Sequence, residues 1–511
     1  MEITDLTPAE RRLWEAFPSG AGVDFRPDGE PDDAVVSGAW GPERTVRAEV
    51  LRALLLSGPR ADGEIPALRL SGARVTGRLD LQYATVDCAI RLWVCRFDEV
   101  LNLYGAQVRQ LNLSESVLPG MRAATLRVDG VLRITGCRIA GPVLLGGARI
   151  SGAFFLDRAR LGAPDTGGDG GDARRRGAGD SDPRPGDSVR EPLLQFNQGA
   201  CEDDIWGRGL VSYGEIRLDG ATVAGNVDLD DARLVHPGAT VLQAERLTVG
   251  SDLRAMRLHA EGRVDLRGAR IPGQLNLSYA RLTNPGGMAL RASSMVCGEM
   301  WLRASPPVRG TVNLRRSQLE LLHVAPETWP REVSLDGLMY TTLAPHEPAA
   351  RRLPVFDRDS AGYVPFSYEQ LATAYRRIGD EAAVREVQLA KQRRHRTTLP
   401  WYAKIWGHVQ EMTVGYGFRP IRAAGWLASL LAVGSLVFAL HHPPALKPGE
   451  APHFQPVFYT LDLLLPVIDF GQEQAYAPEG WYQSLSYALI VMGWILATTI
   501  ATGITRVISR Q

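Results

Sequence analysis

Apolar residues recur in this chain with a period of eleven. Leu79, Leu81, Ala84 and Val86 are followed by Ile90, Leu92, Cys95 and Phe97, and those by Leu101, Leu103, Ala106 and Val108. The same four slots return as Leu132, Ile134, Cys137, Ile139, then Val143, Leu145, Ala148, Ile150, then Phe154, Leu156, Ala159, Leu161. A later block runs from Leu242, Ala244, Leu247, Val249 to Leu275, Leu277, Ala280, Leu282. A fixed internal period decides the architecture before any local motif does.

Apolar residues two apart, with Arg, Asp, Gln or Thr between them, mean short strands with one buried face; a helix needs spacings of three and four. The Gly or small polar residue after each pair marks a turn. Every unit has the same pattern and the same direction, so the strands wind into a right-handed parallel β-solenoid, pentapeptide-like, with two units, 22 residues, per four-sided coil. The third slot is mostly Ala, which suits a crowded inner corner; Cys95 and Cys137 fill that slot and read as small core residues. The register drifts between Ser116 and Leu132 and near Gly286, then persists as Val312, Leu314, Ser317, Leu319 and Val333, Leu335, Leu338, Tyr340. These positions place the solenoid at 66–342, interrupted at about 162–191 by a Gly-, Asp-, Arg-, Ser- and Pro-rich stretch expected to be disordered.

A solenoid needs caps at its end coils. Residues 1–65 fit a helical N-terminal cap: Thr7-Pro8-Ala9-Glu10 is a helix start, and Val46 to Leu56 predicts a second helix with Leu51, Leu54 and Leu55 on one stripe. After a linker, 343–365, residues 366–412 predict a helical hairpin and juxtamembrane region. Ser367-Tyr-Glu-Gln starts its first helix, Gly379-Asp380 breaks it, and Tyr368, Leu371, Ala372, Tyr375 and Ala383 give a tetratricopeptide-like pattern.

Residues 413–511 carry two charge-free runs, Ala423 to Leu440 and Leu485 to Ile504, each near the ~20 residues that cross a bilayer. Arg419 and Arg422 precede the first and Arg506 and Arg510 follow the second, whereas the connecting segment has Lys447 against Glu450, Asp462, Asp469, Glu473 and Glu479. Positive flanks stay inside, so a multi-pass protein of the cell (inner) membrane is expected, with both termini and the solenoid cytoplasmic. Arg393, Arg394 and Arg396 with Trp401 and Trp406 read as an anchor to lipid headgroups. The apolar segment Phe454 to Phe470 contains two carboxylates; it either re-enters the membrane or lies on its outer surface, and in the first case Asp462 and Asp469 face water or a pore. Asp462, Pro466, Asp469 and Gly471 are the candidate pore-loop residues. Thr413-Val-Gly-Tyr-Gly417 spells a potassium filter, but it precedes the first run instead of lying between the two.

Lys+Arg and Asp+Glu balance at 57 each, so nothing global favours nucleic acid. The five cysteines are isolated, with no Cys-x-x-Cys pair and no His at zinc spacing. His441, His442 and His453 lack a well-spaced further ligand. No cofactor, metal or catalytic constellation is predicted.

The eleven-residue units, the Tyr368 to Thr397 hairpin, the Gly415-Tyr416-Gly417-Phe418-Arg419-Pro420 run and the Tyr459 to Arg510 tail together resemble bacterial membrane proteins in which a pentapeptide-like solenoid joins a two-span, pore-loop-like C-terminus. Where channel-like relatives carry Gly-Tyr-Gly-Asp, this chain has Pro466-Val-Ile-Asp-Phe-Gly471. Similar proteins are sometimes labelled membrane-associated oxidoreductases, yet no dinucleotide fingerprint, haem or iron–sulfur spacing is present here. The reading that follows is a non-enzymatic membrane-anchored scaffold binding membrane lipid and a cytoplasmic protein on its solenoid face. The alternatives are a homo-oligomeric two-span pore and, through the label alone, an oxidoreductase.

Overall fold

The computed structural model describes residues 5–27, 30, 35, 40–164, 191–398, 420–447, 451–465 and 468–508, with the side chains of 420–424 and 498–508 outside that description. Two compact units result, Met1–Gln370 and Leu371–Gln511.

In the first unit the repeat winds into a parallel β-solenoid of about eleven coils. Most of its strands are only two residues long, such as Leu132–Arg133 and Arg138–Ile139. Their register gives the coil length: Met121 pairs with Val143, Arg127 with Arg149, Leu132 with Phe154 and Arg138 with Arg160, each 22 residues on. The drift seen in the sequence is a pair of shorter coils, where Leu101 pairs with Met121 and Arg96 with Val117. Two coils are longer: Ile216 pairs with Leu242, and Val264 with Leu290. Their extra residues project in the long strands Arg233–Gln243 and Arg281–Arg291, which carry register shifts. Arg149 pairs with Ala200 and Phe154 with Ile205, so the chain resumes its place in the coil after the interruption. Residues 165–190, most of the stretch expected to be disordered, lie outside the described residues.

Inward slots are filled as the alternation requires. Leu132, Ile134, Val143, Leu145 and Leu161 are fully buried, and the third slot is closed by Ala106, Cys137, Ala148 and Ala159. Immediately before that third slot the backbone takes a left-handed turn in coil after coil. One column runs through Tyr83, Gly105, Thr125, Gly147, Gln198 and Gly220, and another through Val94, Glu115, Gly136, Arg158 and Gly209. Each of these residues donates its N–H to the coil above, as Gly136 does to Asp157 O and Gly147 to Asn197 O. The sequence predicts Gly or small polar residues at these turns, but Tyr, Val, Arg and Gln also occupy them. Stacked hydrogen bonds and a close-packed interior hold those residues where isolated L residues seldom go.

The N-terminal cap has the expected first helix, Pro8–Ala16, with Thr7 and Glu10 forming a reciprocal capping box. Its remainder differs from the all-helical expectation. Val23–Asp24 pairs with Leu70–Ser71, and Thr45–Arg47 pairs with Arg74–Thr76, so the cap itself contributes strands to the first coil. The second helix therefore begins at Ala48 and ends at Ser57. Thr45-Val46-Arg47 alternates polar and apolar residues, and as a strand it covers a sheet edge that would otherwise be open. At the other end Asp359 accepts the Leu335 N–H (2.9 Å), pinning the segment around Leu353–Arg358 over the last coil.

Two helices, Pro365–Arg377 and Glu381–Thr398, follow one another and are separated at Gly379, with φ +78°. The first starts two residues earlier than Ser367, because Pro365 is preorganised for a first helical turn. Ser367 is thus inside the helix, its buried hydroxyl without a partner among the described residues. Helices Pro420–Leu440 and Trp481–Ile508 occupy the two charge-free runs. Among the described residues no helix is long and apolar enough to cross a membrane. Between them a short helix, Pro456–Leu464, packs on both through Phe438, Tyr459, Leu463, Leu464 and Leu489. Glycine permits that approach: a Cβ on Gly493 would lie 2.3 Å from the Leu464 carbonyl oxygen.

Candidate functional site

Strand register turns single outward residues into straight ladders, and one ladder of the solenoid is chemically distinctive. It runs Arg91, Asn112, Arg133, Phe155, Trp206, Asp228, Arg254, Asn276, Trp301 and His323. Phe155 and Trp206 are half-buried neighbours here, carried by the strands Phe154–Phe155 and Ile205–Trp206. With Asp157, Arg158 and Arg208 they line an open recess of about 500 Å³, within the usual range for small binding clefts.

Guanidinium groups meet both rings. Arg133 lies 4.1 Å from the Phe155 centroid and Arg208 lies 5.2 Å from that of Trp206, in cation–π range. Arg208 also donates Nε–H to Asp228 (2.8 Å), and its backbone N–H donates to Asp157 (3.0 Å). Asp228 is buried, receives the Asp230 N–H, and shares Arg254 with Asp230 at 4.0 and 3.3 Å. Further along, the indole of Trp301 stacks on His323 with centroids 4.6 Å apart and donates to Glu299 (2.8 Å). The face therefore holds aromatic surface on rigid β-strands between oriented charges, the composition of an interface centre. Sequence reading missed it because Phe155 and Trp206 are separated by the interruption; with that stretch removed, both occupy the same slot of the repeat.

The described candidate pore-loop residues, Asp462, Asp469 and Gly471, share one loop but have different surroundings. Asp462 is 5% exposed and its carboxylate accepts the N–H groups of Phe470 (2.6 Å), Gln472 (2.8 Å) and Glu473 (3.2 Å). Its carboxylate is turned to the loop's own backbone, since a tight returning loop leaves backbone donors that need an internal acceptor. Asp469 is exposed and accepts from Gly471 N–H (2.7 Å) and Gln474 (3.0 Å); Gly471 turns at φ +80°. Burial, with Asp462 and Asp469 adding repulsion, raises the Glu473 carboxyl above its ordinary range. Pro466 lies outside the described residues.

Of the predicted headgroup anchor, Arg393, Arg394 and Arg396 sit in the last turns of Glu381–Thr398, and Trp401 and Trp406 lie outside the described residues, as does the Thr413–Gly417 motif. His441 stacks on Tyr482 (4.8 Å) and His442 tilts against Phe454 (5.1 Å). Among the described residues no group of three or more His, Cys, Asp or Glu could hold a metal ion. All five thiols are buried. Desolvation pushes Cys95 and Cys137 up to about 12 and Cys201 and Cys297 up to about 11, the condition of inert core thiols.

No protein-family model matches this chain, and no curated protein or solved structure matches it.

Proposed function

We propose that the chain is a non-enzymatic, membrane-anchored scaffold that presents the Phe155–Trp206 face of its solenoid to a cytoplasmic protein. The observation that carries this reading is the recess itself: two half-buried rings, each with its own guanidinium, on a backbone that strand pairing holds rigid. Trp and Arg dominate the energetic centres of protein interfaces, and a preorganised surface loses little entropy on binding.

Two features support the anchor. Counted in the full sequence, the charge-free runs of 18 and 20 residues are near the ~20 that cross a bilayer, and their described residues turn large apolar side chains outward, with Leu436 63%, Leu440 70% and Trp494 55% exposed beside Val433, Tyr487 and Val491. A water-facing helix would present polar groups there. With arginines outside both runs and carboxylates between them, the termini and the solenoid belong on the cytoplasmic side.

Photo-cross-linking in cells tests the recognition face. A photoreactive residue at Trp206 is expected to give a discrete adduct that Arg208→Glu removes, while the same residue at Arg315 gives none. Equal labelling at both positions contradicts the proposal.

A specific packing arrangement favours a second reading, the homo-oligomeric pore. The helix Pro456–Leu464 lies against Gly434 and Gly493, well inside the two apolar runs, and the chain then returns through the Asp462-capped loop. A re-entrant hairpin needs such a packed helix and a return loop whose backbone groups are satisfied within the protein. Planar-bilayer recordings decide: currents lost in Asp469→Ala establish the pore, and silence from the reconstituted protein removes it.

A further inference from the structure

A different ladder of the solenoid carries arginine almost throughout. In register, Arg74, Arg96, Val117, Arg138, Arg160, Val211, Arg233, His259 and Arg281 stand one above the next. Each strand buries the residue that follows, as Ile139 and Leu161 are buried behind Arg138 and Arg160, so the basic side chains point out. At the parallel-strand spacing of about 4.8 Å, eight steps give a straight cationic row of about 38 Å.

Like charges directly opposite one another in a sheet are destabilising. In the ladder of Trp206, Arg208 and Arg254 meet Asp228 and Asp230. Some members of the row meet carboxylates too: Arg74 meets Asp98 (3.0 Å), Arg233 meets Glu261 (3.8 Å), and the His259 ring lies 2.9 Å from Glu261. Arg138 stacked on Arg160, and Arg281 at the end of the row, have no carboxylate partner among the described residues. Beside Val117 and Arg138 the next outward positions are Pro119 and Ala140, which leave the guanidinium groups unobstructed.

We infer that this row binds a linear chain of phosphate groups without bases, of the inorganic polyphosphate type, laid along the solenoid axis. Guanidinium groups match phosphate oxygens bidentately, and stacked, unneutralised arginines become favourable once an anion lies across them. Single-stranded nucleic acid is bound on series of aromatic platforms that stack its bases, and of the nine residues in the row only His259 is aromatic. An anionic bilayer would meet the row broadside, against the carboxylates of Asp98, Glu115, Asp231 and Glu261 that flank it. A single thread of phosphate can follow the row itself, displacing Asp98 from Arg74 and Glu261 from Arg233.

The full-length protein in detergent micelles can be titrated with long-chain inorganic polyphosphate, orthophosphate, a single-stranded oligonucleotide and phosphatidylglycerol vesicles. Polyphosphate is expected to bind best, with affinity falling as salt rises. Arg138→Gln with Arg160→Gln should weaken it about tenfold and flatten the log affinity against log salt by roughly 0.7–0.9 per charge removed. Arg281→Gln should act in the same direction more weakly, and Arg315→Gln, on another ladder, should change nothing. Absence of polyphosphate binding, equal loss in Arg315→Gln, or tighter binding of the oligonucleotide or the vesicles would overturn the inference.

Discussion

Replacing Gly136 with alanine asks whether the left-handed columns, and not the apolar interior alone, hold neighbouring coils together. Gly136 has φ +66°, where an L side chain costs about 1–2 kcal/mol. Its Cβ would lie 2.2 Å from both carboxylate oxygens of Glu115. Glu115 must then swing away and release Arg158, now 3.2 Å from it, an exposed pair contributing about 0–1 kcal/mol. Alanine restricts the unfolded chain, which offsets about 0.4–1 kcal/mol. The net loss is about 1–1.5 kcal/mol. Repeat arrays open in segments, so the fitting assay is native-state amide exchange. Protection in the strands Leu132–Arg133 and Arg138–Ile139 should fall about five- to tenfold. Adding Glu115→Ala should cost almost nothing further, because the single variant has already displaced Glu115 from Arg158. Unchanged protection in the single variant, or a larger loss in the double, refutes the reasoning.

Other consequences are equally specific. Arg138→Cys with Arg160→Cys should close a disulfide on oxidation, since paired parallel strands lie within disulfide reach; Arg138→Cys with Arg149→Cys, half a coil apart, should not, as non-reducing peptide mapping would reveal. Asp219→Asn should stabilise the solenoid in a pH-dependent way. Burial first, then the nearby Glu245 carboxylate, raises Asp219 from 3.8 to about 6. The folded state therefore holds that proton more tightly than the unfolded state, and stability falls as pH rises between those values. Removing the charge should gain up to about 2 kcal/mol at pH 7 and nothing below the unfolded value, as denaturant melts at both pH values would show. Asp462→Ala strands three backbone donors at a local cost of about 2–3 kcal/mol, which should appear as faster chymotryptic cleavage after Phe470.

The coil length and the interior were legible because a two-residue strand needs only an alternating pair, and the pairs from Leu79 to Leu161 state the period openly. The first coil was not: Val23–Asp24 and Thr45–Arg47 are isolated strands whose identity comes from the edges they cover. The longer coils resisted for a related reason, since the extra residues between Thr283 and Met288 shift the frame without any apolar marker. Turn positions held by Tyr83, Val94 and Arg158 look like ordinary surface residues until stacking reveals their φ. Ladders such as Phe155–Trp206 and Arg138–Arg160 are properties of register, invisible to a linear motif search. For Asp462, composition identified an acidic residue in an apolar loop but could not reveal that the loop's own backbone would satisfy it.

The central claim, a β-solenoid held at a membrane by its C-terminal helices, is tested most directly by alkaline carbonate extraction of membranes from cells producing the protein. The full chain is expected to stay in the pellet with the bilayer, and a chain ending at Thr398 to be released. Release of the full chain into the alkaline supernatant would contradict the account.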